Sequence, residues 1–202
     1  MTFYIAGASS FGRETLDALY PFSEIDTPAV AFLDDNPPAP VVDGVPVRPL
    51  EEATPGSEFV VTVANPEIRR KLVARLCAQG LTPGRVIHPR AYVSPRAIIG
   101  AGCIIFANTF VSTRAVLGDH VAVFHGANIA HDCVIGDYAT FLMNASIAGA
   151  VTVGEDVTFG TNACILQNLR VGAGTMIGAG AVVIRDQPAG VTVAGVPSRI
   201  LR

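Results

Sequence analysis

Residues 129–147 read IAHDCVIGDYATFLMNASI, with an apolar residue at every sixth position. The same step of six residues continues without a break from Ile87 to Val183 and meets only Val, Ile, Leu or Phe. Four places after each of these anchors the residue is usually small, and three places after them eleven of seventeen residues are Gly, Asn or Asp. Those three residue types tolerate the left-handed backbone of a tight turn. The period predicts a parallel β-helix in which three strands make one rung of eighteen residues.

The composition excludes several classes of protein. Half of the 202 residues are hydrophobic and 15% are charged, so a disordered or solvating chain is excluded. Residues 1–86 carry seven Lys and Arg against eleven Asp and Glu, and residues 87–202 carry seven against six. Neither half therefore predicts a nucleic-acid partner. The sequence has neither an apolar run long enough for a membrane span nor the basic stretch and apolar core of a secretory signal. We therefore expect a cytoplasmic protein with no membrane partner.

The first part of the chain alternates apolar runs with helical patterns, which predicts a small Rossmann-like parallel α/β sheet. The expected strands are 3–6, 29–33 and 59–64, and the expected helices are 13–20 and 66–79. We therefore predict an α/β domain over residues 1–85, a β-helix domain over residues 86–190 and a C-terminal cap segment over residues 191–202.

Polar groups follow the predicted strands of the first domain, where parallel α/β sheets bind ligands. The candidate substrate-binding residues are Gly7, Ser9, Ser10 and Gly12 in the first loop, Asp34 and Asp35 after the second strand, and Asn65 after the third. Backbone N–H groups and the serines are candidates for a diphosphate, and the acids for ribose or base groups. The glycines are equally compatible with a tight strand-to-helix turn alone, and the acids with a structural role in a loop.

His131 is the candidate general base of the second domain, because histidine has an unperturbed pKa near 6.5 and can accept a proton at neutral pH. It lies two places after an anchor, outside the predicted core, and Gly149 follows one rung later. We expect Gly149 to leave room for a carbonyl beside the base and to donate its N–H to an oxyanion.

Five segments together resemble the hexapeptide-repeat sugar acetyltransferases of the sialic-acid O-acetyltransferase and bacillosamine N-acetyltransferase type. They are residues 7–12 (GASSFG), 32–36 (FLDDN), 130–137 (AHDCVIGD), 177–183 (IGAGAVV) and 194–198 (AGVPS). The resemblance implies a left-handed β-helix and a homotrimer with active sites at the subunit interfaces. It also implies acetyl-CoA as the acyl donor and an amino sugar carried on a nucleotide as the acceptor. On this resemblance, residues 1–85 form the nucleotide-sugar-binding domain and residues 86–190 the acyltransferase domain.

The resemblance further implies that Gly149, Thr161 and Ala179 bind acetyl-CoA through backbone groups, and that Asp132 orients His131. Asp132 also occupies the repeat position typical of turn residues, so its sequence context leaves both roles open. The sequence departs from many relatives at Phe11 and Thr140, where they carry histidine.

Three alternatives to acetylation of an amine remain. The first is acetylation of a sugar hydroxyl by an enzyme of the same family. A zinc enzyme resembling the β-helical carbonic anhydrases would use histidines such as His120 and His125, but these do not share a repeat position, and we expect no metal. A trimeric nucleotide-binding scaffold would have the β-helix without the chemistry. The four cysteines contain no C-x-x-C pair, and we interpret them as reduced packing residues.

Overall fold

A computed structural model describes residues 2–21 and 29–201, and the chain divides into two compact units, residues 1–87 and 88–202. The predicted boundary after residue 85 lies close to this division. Among the described residues, no helix is long and apolar enough to cross a bilayer.

The first unit is a parallel sheet with one antiparallel hairpin and two helices. Its elements are β1 (Phe3–Ala6), α1 (Ser10–Leu19), β2 (Val30–Leu33), β3 (Val41–Val42), β4 (Val45–Arg48), a 3-10 helix (Leu50–Glu52), β5 (Glu58–Val61), α2 (Pro66–Ala78), β6 (Thr82–Pro83) and β7 (Val86–Ile87). The strand order is β3-β4-β2-β1-β5-β6, and only the β3–β4 pair is antiparallel. The three predicted strands are present, and β3, β4 and β6 are additions that are too short or too polar for the sequence pattern to show.

The helices begin and end for local reasons. α1 begins three residues before the predicted start, since the Gly loop leads directly into it. Asn65 caps α2 by accepting a hydrogen bond of 3.0 Å from the Ile68 N–H, and Pro66 occupies the first helical position. Gly80, with a φ of +84°, follows the end of α2.

The second unit is a parallel β-helix built from short strands. They are β8 (Tyr92–Val93), β9 (Ile98–Ile99), β10 (Ile104–Ile105), β11 (Phe110–Val111), β12 (Val116–Leu117), β13 (Ala122–Val123), β14 (Asn128–Ile129), β15 (Val134–Ile135), β16 (Thr140–Phe141), β17 (Ser146–Ile147), β18 (Thr152–Val153), β19 (Thr158–Phe159), β20 (Cys164–Ile165), β21 (Arg170–Val171), β22 (Met176–Ile177), β23 (Val182–Val183), β24 (Thr192–Ala194) and β25 (Arg199–Ile200). From β8 to β20 each strand pairs in parallel with the strand three places later, and partners such as Phe110 and Asn128 are eighteen residues apart. The rungs are therefore about 4.8 Å apart.

The interior of the β-helix follows the six-residue period. Anchors from Ile105 to Val183 are buried, and so are most of the small residues four places after them, such as Ala139 and Ala163. The residue three places after each anchor has a positive φ from Gly102 to Gly180, including residues that are not Gly, Asn or Asp. The period thus fixes both the core and the corners, where the chain turns from one face to the next.

The C-terminal segment extends one face of the β-helix. β24 pairs in parallel with β22, and β25 returns antiparallel to β24. Val193 of β24 is fully buried and joins the same core as the anchors. The segment therefore adds a hairpin to the last rungs.

The prediction that all four cysteines are packing residues is wrong for Cys77. Cys103 and Cys133 are buried in the β-helix and Cys164 is partly buried, whereas Cys77 is exposed. The reason is that α2 buries a narrow face made of Arg69, Val73 and Leu76. All four cysteines are free thiols.

Candidate functional site

His131 lies at a corner of the β-helix with its imidazole largely exposed. Its Nδ1 atom is 2.7 Å from Oδ2 of Asp132. An ionised carboxylate only accepts hydrogen bonds, so Nδ1 carries the proton in this pair and Nε2 keeps its lone pair. The imidazole is therefore held in the tautomer that a general base requires.

Asp132 has the geometry of both roles that the sequence left open. Its backbone is left-handed, with a φ of +62°, as the turn requires. Its carboxylate nevertheless reaches the imidazole and also pairs with Arg114. Hydrogen bonds from Arg114 first, and then from His131, lower the pKa of Asp132 from 3.8 to about 2. Asp132 is therefore ionised throughout the neutral range.

Arg114 is the residue of this cluster that the sequence interpretation missed. Its Nε lies 2.6 Å from Oδ1 of Asp132, and its Nη2 lies 3.1 Å from Oδ2. Arg114 precedes Asp132 by eighteen residues, so the two occupy the same corner on adjacent rungs. The rung period was the signal that could have identified it.

Gly149 lies directly against the His131 ring. A Cβ added at Gly149 would be 2.6 Å from Cε1 and 2.7 Å from Nε2 of the imidazole. The expectation that the missing side chain leaves room for a carbonyl needs correction, because the imidazole itself occupies that space. Among residues 2–21 and 29–201, no group accepts a hydrogen bond from the Gly149 N–H.

The three positions expected to bind acetyl-CoA do not lie together in one chain. The Gly180 N–H donates to the carbonyl of Thr161, which places Thr161 and Ala179 at one corner on adjacent rungs. Gly149 follows the anchor of β17, which belongs to a different sheet from the β19 and β22 strands that precede Thr161 and Ala179. Twelve residues are two thirds of a rung, so Gly149 and Thr161 share a repeat position but not a corner.

The first unit contains a pocket of about 240 Å³ at the carboxyl ends of β1 and β2. Gly7, Asp34, Asp35 and Asn36 are among its lining residues. The structure therefore brings together one residue of the Gly loop and both predicted acids, at the strand ends where the topology places ligands.

Both acids of this pocket also have structural contacts. Asp34 accepts hydrogen bonds from the N–H groups of Ala8 and Asn36, which fixes the Gly loop to the end of β2. Asp35 accepts from the Leu50 N–H at 2.9 Å and pairs with Arg75 at 2.7 Å. The Leu50 N–H and the Arg75 guanidinium hold the pKa of Asp35 below its ordinary value. Each carboxylate oxygen keeps a second lone pair for a ligand donor.

The Gly loop needs both of its glycines for packing. Gly7 has a φ of +113°, and a Cβ at Gly12 would collide with the carbonyl of Gly7. Ser9 lines a second pocket together with Arg13 and is the cap residue of α1, without a side-chain cap hydrogen bond. Ser10 begins the helix and is exposed.

Asn65 and Gly12 are not among the residues that line the two pockets described above, whereas Gly7, Ser9, Asp34 and Asp35 are. The side-chain oxygen of Asn65 accepts the α2 cap hydrogen bond. Asn65 and Gly12 therefore have an evident role in local folding.

The other histidines have separate surroundings. His120 is buried and stacks on Tyr138, with ring centroids 4.9 Å apart, whereas His125 stacks on Phe106 at 4.7 Å. Nδ1 of His88 accepts a hydrogen bond from the Arg90 N–H. In the described part of the chain, no three His, Cys, Asp or Glu side chains are grouped as a metal site.

Comparison with solved structures supplies close relatives over the whole length. The acetyltransferase domain of PglB from Neisseria gonorrhoeae FA1090 is 35% identical, with 99% of each chain covered and a TM-score of 0.90. The same domain has been solved with acetyl coenzyme A. WeeI from Acinetobacter baumannii AYE is 30% identical, with 100% of each chain covered and a TM-score of 0.87.

A third neighbour is a mutant of GDP-perosamine N-acetyl transferase from Caulobacter crescentus, solved with CoA and GDP-perosamine. It is 29% identical, with 100% of this chain and 97% of the neighbour covered, and the TM-score is 0.92. These structural similarities confirm the prediction of an α/β domain followed in the chain by a left-handed β-helix. No family model matches the chain, and no curated protein matches it.

Proposed function

The chain belongs to the hexapeptide-repeat sugar N-acetyltransferases, and from this membership we propose that it acetylates the amino group of a nucleotide-linked amino sugar. Acetyl-CoA is the proposed donor, since the PglB domain was solved with it. The amine is favoured over a hydroxyl because the GDP-perosamine neighbour is an N-acetyl transferase.

The observation that supports this chemistry best is the arrangement of Asp132, His131 and Gly149. Asp132 fixes the proton on Nδ1, Nε2 of His131 is free to accept another, and the unpartnered N–H of Gly149 lies on the next rung. A base and an oxyanion donor side by side are the two groups that acyl transfer to an amine requires.

In the proposed reaction, the nitrogen of the acceptor amine attacks the thioester carbonyl, and Nε2 of His131 removes a proton from that nitrogen. The Gly149 N–H donates to the oxygen on which negative charge develops. The carbon–sulfur bond then breaks, and the imidazolium of His131 returns the proton to the departing thiolate. Asp132 stabilises the imidazolium between these two steps. The products are an amide and free CoA, so His131 ends as it began and no acyl-enzyme forms.

The nucleotide half of the acceptor is assigned to the pocket lined by Gly7, Asp34 and Asp35. Carboxylates that are already held ionised by neighbouring donors can accept further hydrogen bonds from ribose hydroxyls or base N–H groups. Ser9 and the exposed N-terminus of α1 in the neighbouring pocket suit a diphosphate.

Acetyl-CoA binding by Gly149, Thr161 and Ala179 requires a second copy of the chain. Gly149 and the Thr161–Ala179 pair lie at different corners, so a pantetheine arm that contacts all three must lie between two β-helices. A cyclic homotrimer would form three such grooves. The cytoplasm is the proposed location, where four free thiols stay reduced.

The test is acetyl-CoA cleavage with purified protein and a panel of nucleotide sugars that includes GDP-perosamine. Release of CoA is followed with a thiol reagent, and the product is treated with hydroxylamine, which cleaves an ester and leaves an amide intact. We expect CoA release that depends on the amino sugar and a hydroxylamine-resistant product. A hydroxylamine-labile product would establish the sugar O-acetyltransferase instead, and no release with any acceptor would overturn the proposal.

A further inference from the structure

Arg114 holds Asp132 with two N–H donors on one edge of its guanidinium. Nε donates to Oδ1 at 2.6 Å and Nη2 donates to Oδ2 at 3.1 Å. The planar fork of arginine matches the two oxygens of a carboxylate, so this geometry fixes the plane of the Asp132 carboxylate as well as its position. Oδ2 is the oxygen that also lies 2.7 Å from Nδ1 of His131.

Stability does not explain this pair. The side chains of Arg114 and Asp132 are 70% and 34% exposed, and ion pairs in such surroundings contribute little to folding. Arg114 also occupies a left-handed turn position, with a φ of +57°, where a residue such as Gly or Asn has less strain. The Arg114–Asp132 pair is better explained by its effect on the imidazole of His131.

The imidazole has few other charges around it. The residues one rung before and after His131 at the same repeat position are Thr113 and Gly149, which are uncharged. The corresponding neighbours of Asp132 are Arg114 and Ala150. The charges facing His131 within its own corner are therefore Asp132, which contacts it, and Arg114 behind Asp132.

We propose that Arg114 is a positioning residue, which fixes the Asp132 carboxylate and so sets the tautomer of His131. The χ2 torsion of aspartate is broad, and without the guanidinium the carboxylate is free to turn away from Nδ1. This proposal rests on the proposed role of His131 as the base.

The experiment compares Arg114→Ala and Arg114→Lys with Arg96→Ala. Arg96 precedes Arg114 by one rung at the same repeat position and is exposed, which makes it a matched control for loss of a surface arginine. Two measurements are made on each folded variant. One is the 15N NMR spectrum of the His131 ring, which reports the tautomer without any substrate. The other is the steady-state kcat and KM for acetyl transfer to GDP-perosamine or the best acceptor of the panel.

In wild-type protein the ring spectrum should show the proton on Nδ1. Arg114→Ala should give a mixture of tautomers and lower kcat roughly tenfold, because Nε2 carries the proton in part of the molecules and cannot act there as a base. Arg114→Lys should recover part of the rate but not the full tautomer preference, since an ammonium lacks the fork. Arg96→Ala should match wild type.

An Arg114→Ala protein with an unchanged ring spectrum would overturn the proposal, even if its rate had fallen. The ring spectrum also separates this proposal from the proposed function. If no acceptor is acetylated by wild type, the acetyltransferase assignment fails, whereas the NMR measurement still decides whether Arg114 controls the imidazole.

Discussion

Nδ1 of His131 lies 2.7 Å from Oδ2 of Asp132, although Asp132 is itself a left-handed corner residue of the β-helix. Asp132 makes one of the turns of its rung, and its side chain contacts the imidazole of the preceding residue in the chain. The same residue therefore makes the turn and supplies the partner of the candidate base. The two roles of Asp132 can be separated by substitution.

Asp132→Asn should fold like wild type and lose activity roughly ten- to hundredfold. Asn occupies the same left-handed position at Asn144, Asn162 and Asn168, so the turn tolerates the change. The amide lacks the charge that stabilises the imidazolium. Thermal unfolding and kcat provide the two measurements, and a variant with normal kcat would show that Asp132 makes only the turn.

The pH dependence of this effect follows from the pKa of Asp132. That pKa is lowered to about 2, so the contribution of the carboxylate is fully present above its ordinary value of 3.8 and is lost as the pH falls through about 2. The ratio of wild-type to Asp132→Asn activity should therefore not decline through titration of Asp132 anywhere above about pH 4.

His131→Ala should remain folded and lose at least about two orders of magnitude in kcat, the usual contribution of a general base. Glu155→Ala is the control, because Glu155 occupies the same repeat position at a different corner. Circular dichroism and size-exclusion chromatography establish that each variant is intact. Near-normal acetyl transfer by an intact His131→Ala protein would exclude His131 as the base.

Gly149→Ala should lower kcat while binding of the nucleotide sugar, measured by calorimetry, stays unchanged. The added Cβ would meet Cε1 and Nε2 of His131 at 2.6 and 2.7 Å, so the ring must move away from its productive position. The same substitution made in a His131→Ala background should cause little further loss, because the ring it displaces is absent. Fully additive losses would show that Gly149 acts independently of the ring.

The β-helix could be predicted from the sequence because each hexad repeats the same physical requirement. An anchor such as Phe141 and a small residue such as Ala139 both point inward, and a residue at +3 turns the corner, so position in the hexad determines burial and backbone together. Strands β3, β4 and β6 were not predicted, because two to four residues next to Pro and Gly carry too little pattern.

The candidate site was harder to predict, because its contacts connect residues a rung apart. Gly149 was found from the eighteen-residue spacing, but the same spacing was not applied backwards from Asp132 to Arg114. The corner that a residue occupies depends on its place in the eighteen-residue rung, whereas the hexad gives only its place within one strand and turn. Gly149 and Thr161 have the same place in the hexad, so they appeared equivalent although they lie at different corners. The backbone contacts of Asp34 and Asn65 depend on local loop geometry that residue type does not specify.

Asp35→Asn should raise KM for the nucleotide sugar more than it lowers kcat, because it weakens binding that is common to the ground and transition states. Asn retains an acceptor for the Leu50 N–H, so the pocket keeps its shape better than with Ala. Glu52→Gln is the control, since it removes a charge from an exposed residue that does not line this pocket. Equal KM values for Asp35→Asn and wild type would remove Asp35 from the acceptor site.

Subunit mixing tests whether the acetyl-CoA groove lies between two copies. His131→Ala removes the base, and Ala179→Trp should fill the donor groove from the Thr161–Ala179 corner, so each variant alone should be inactive. In randomly mixed trimers, about a quarter of the sites combine an intact His131 from one copy with an intact Ala179 from the next. Co-expression should then restore roughly that fraction of activity, in a particle of three times the 21.0 kDa chain mass by light scattering. If both residues of a site came from one chain, no mixture would recover activity, and the proposed groove between copies would be wrong.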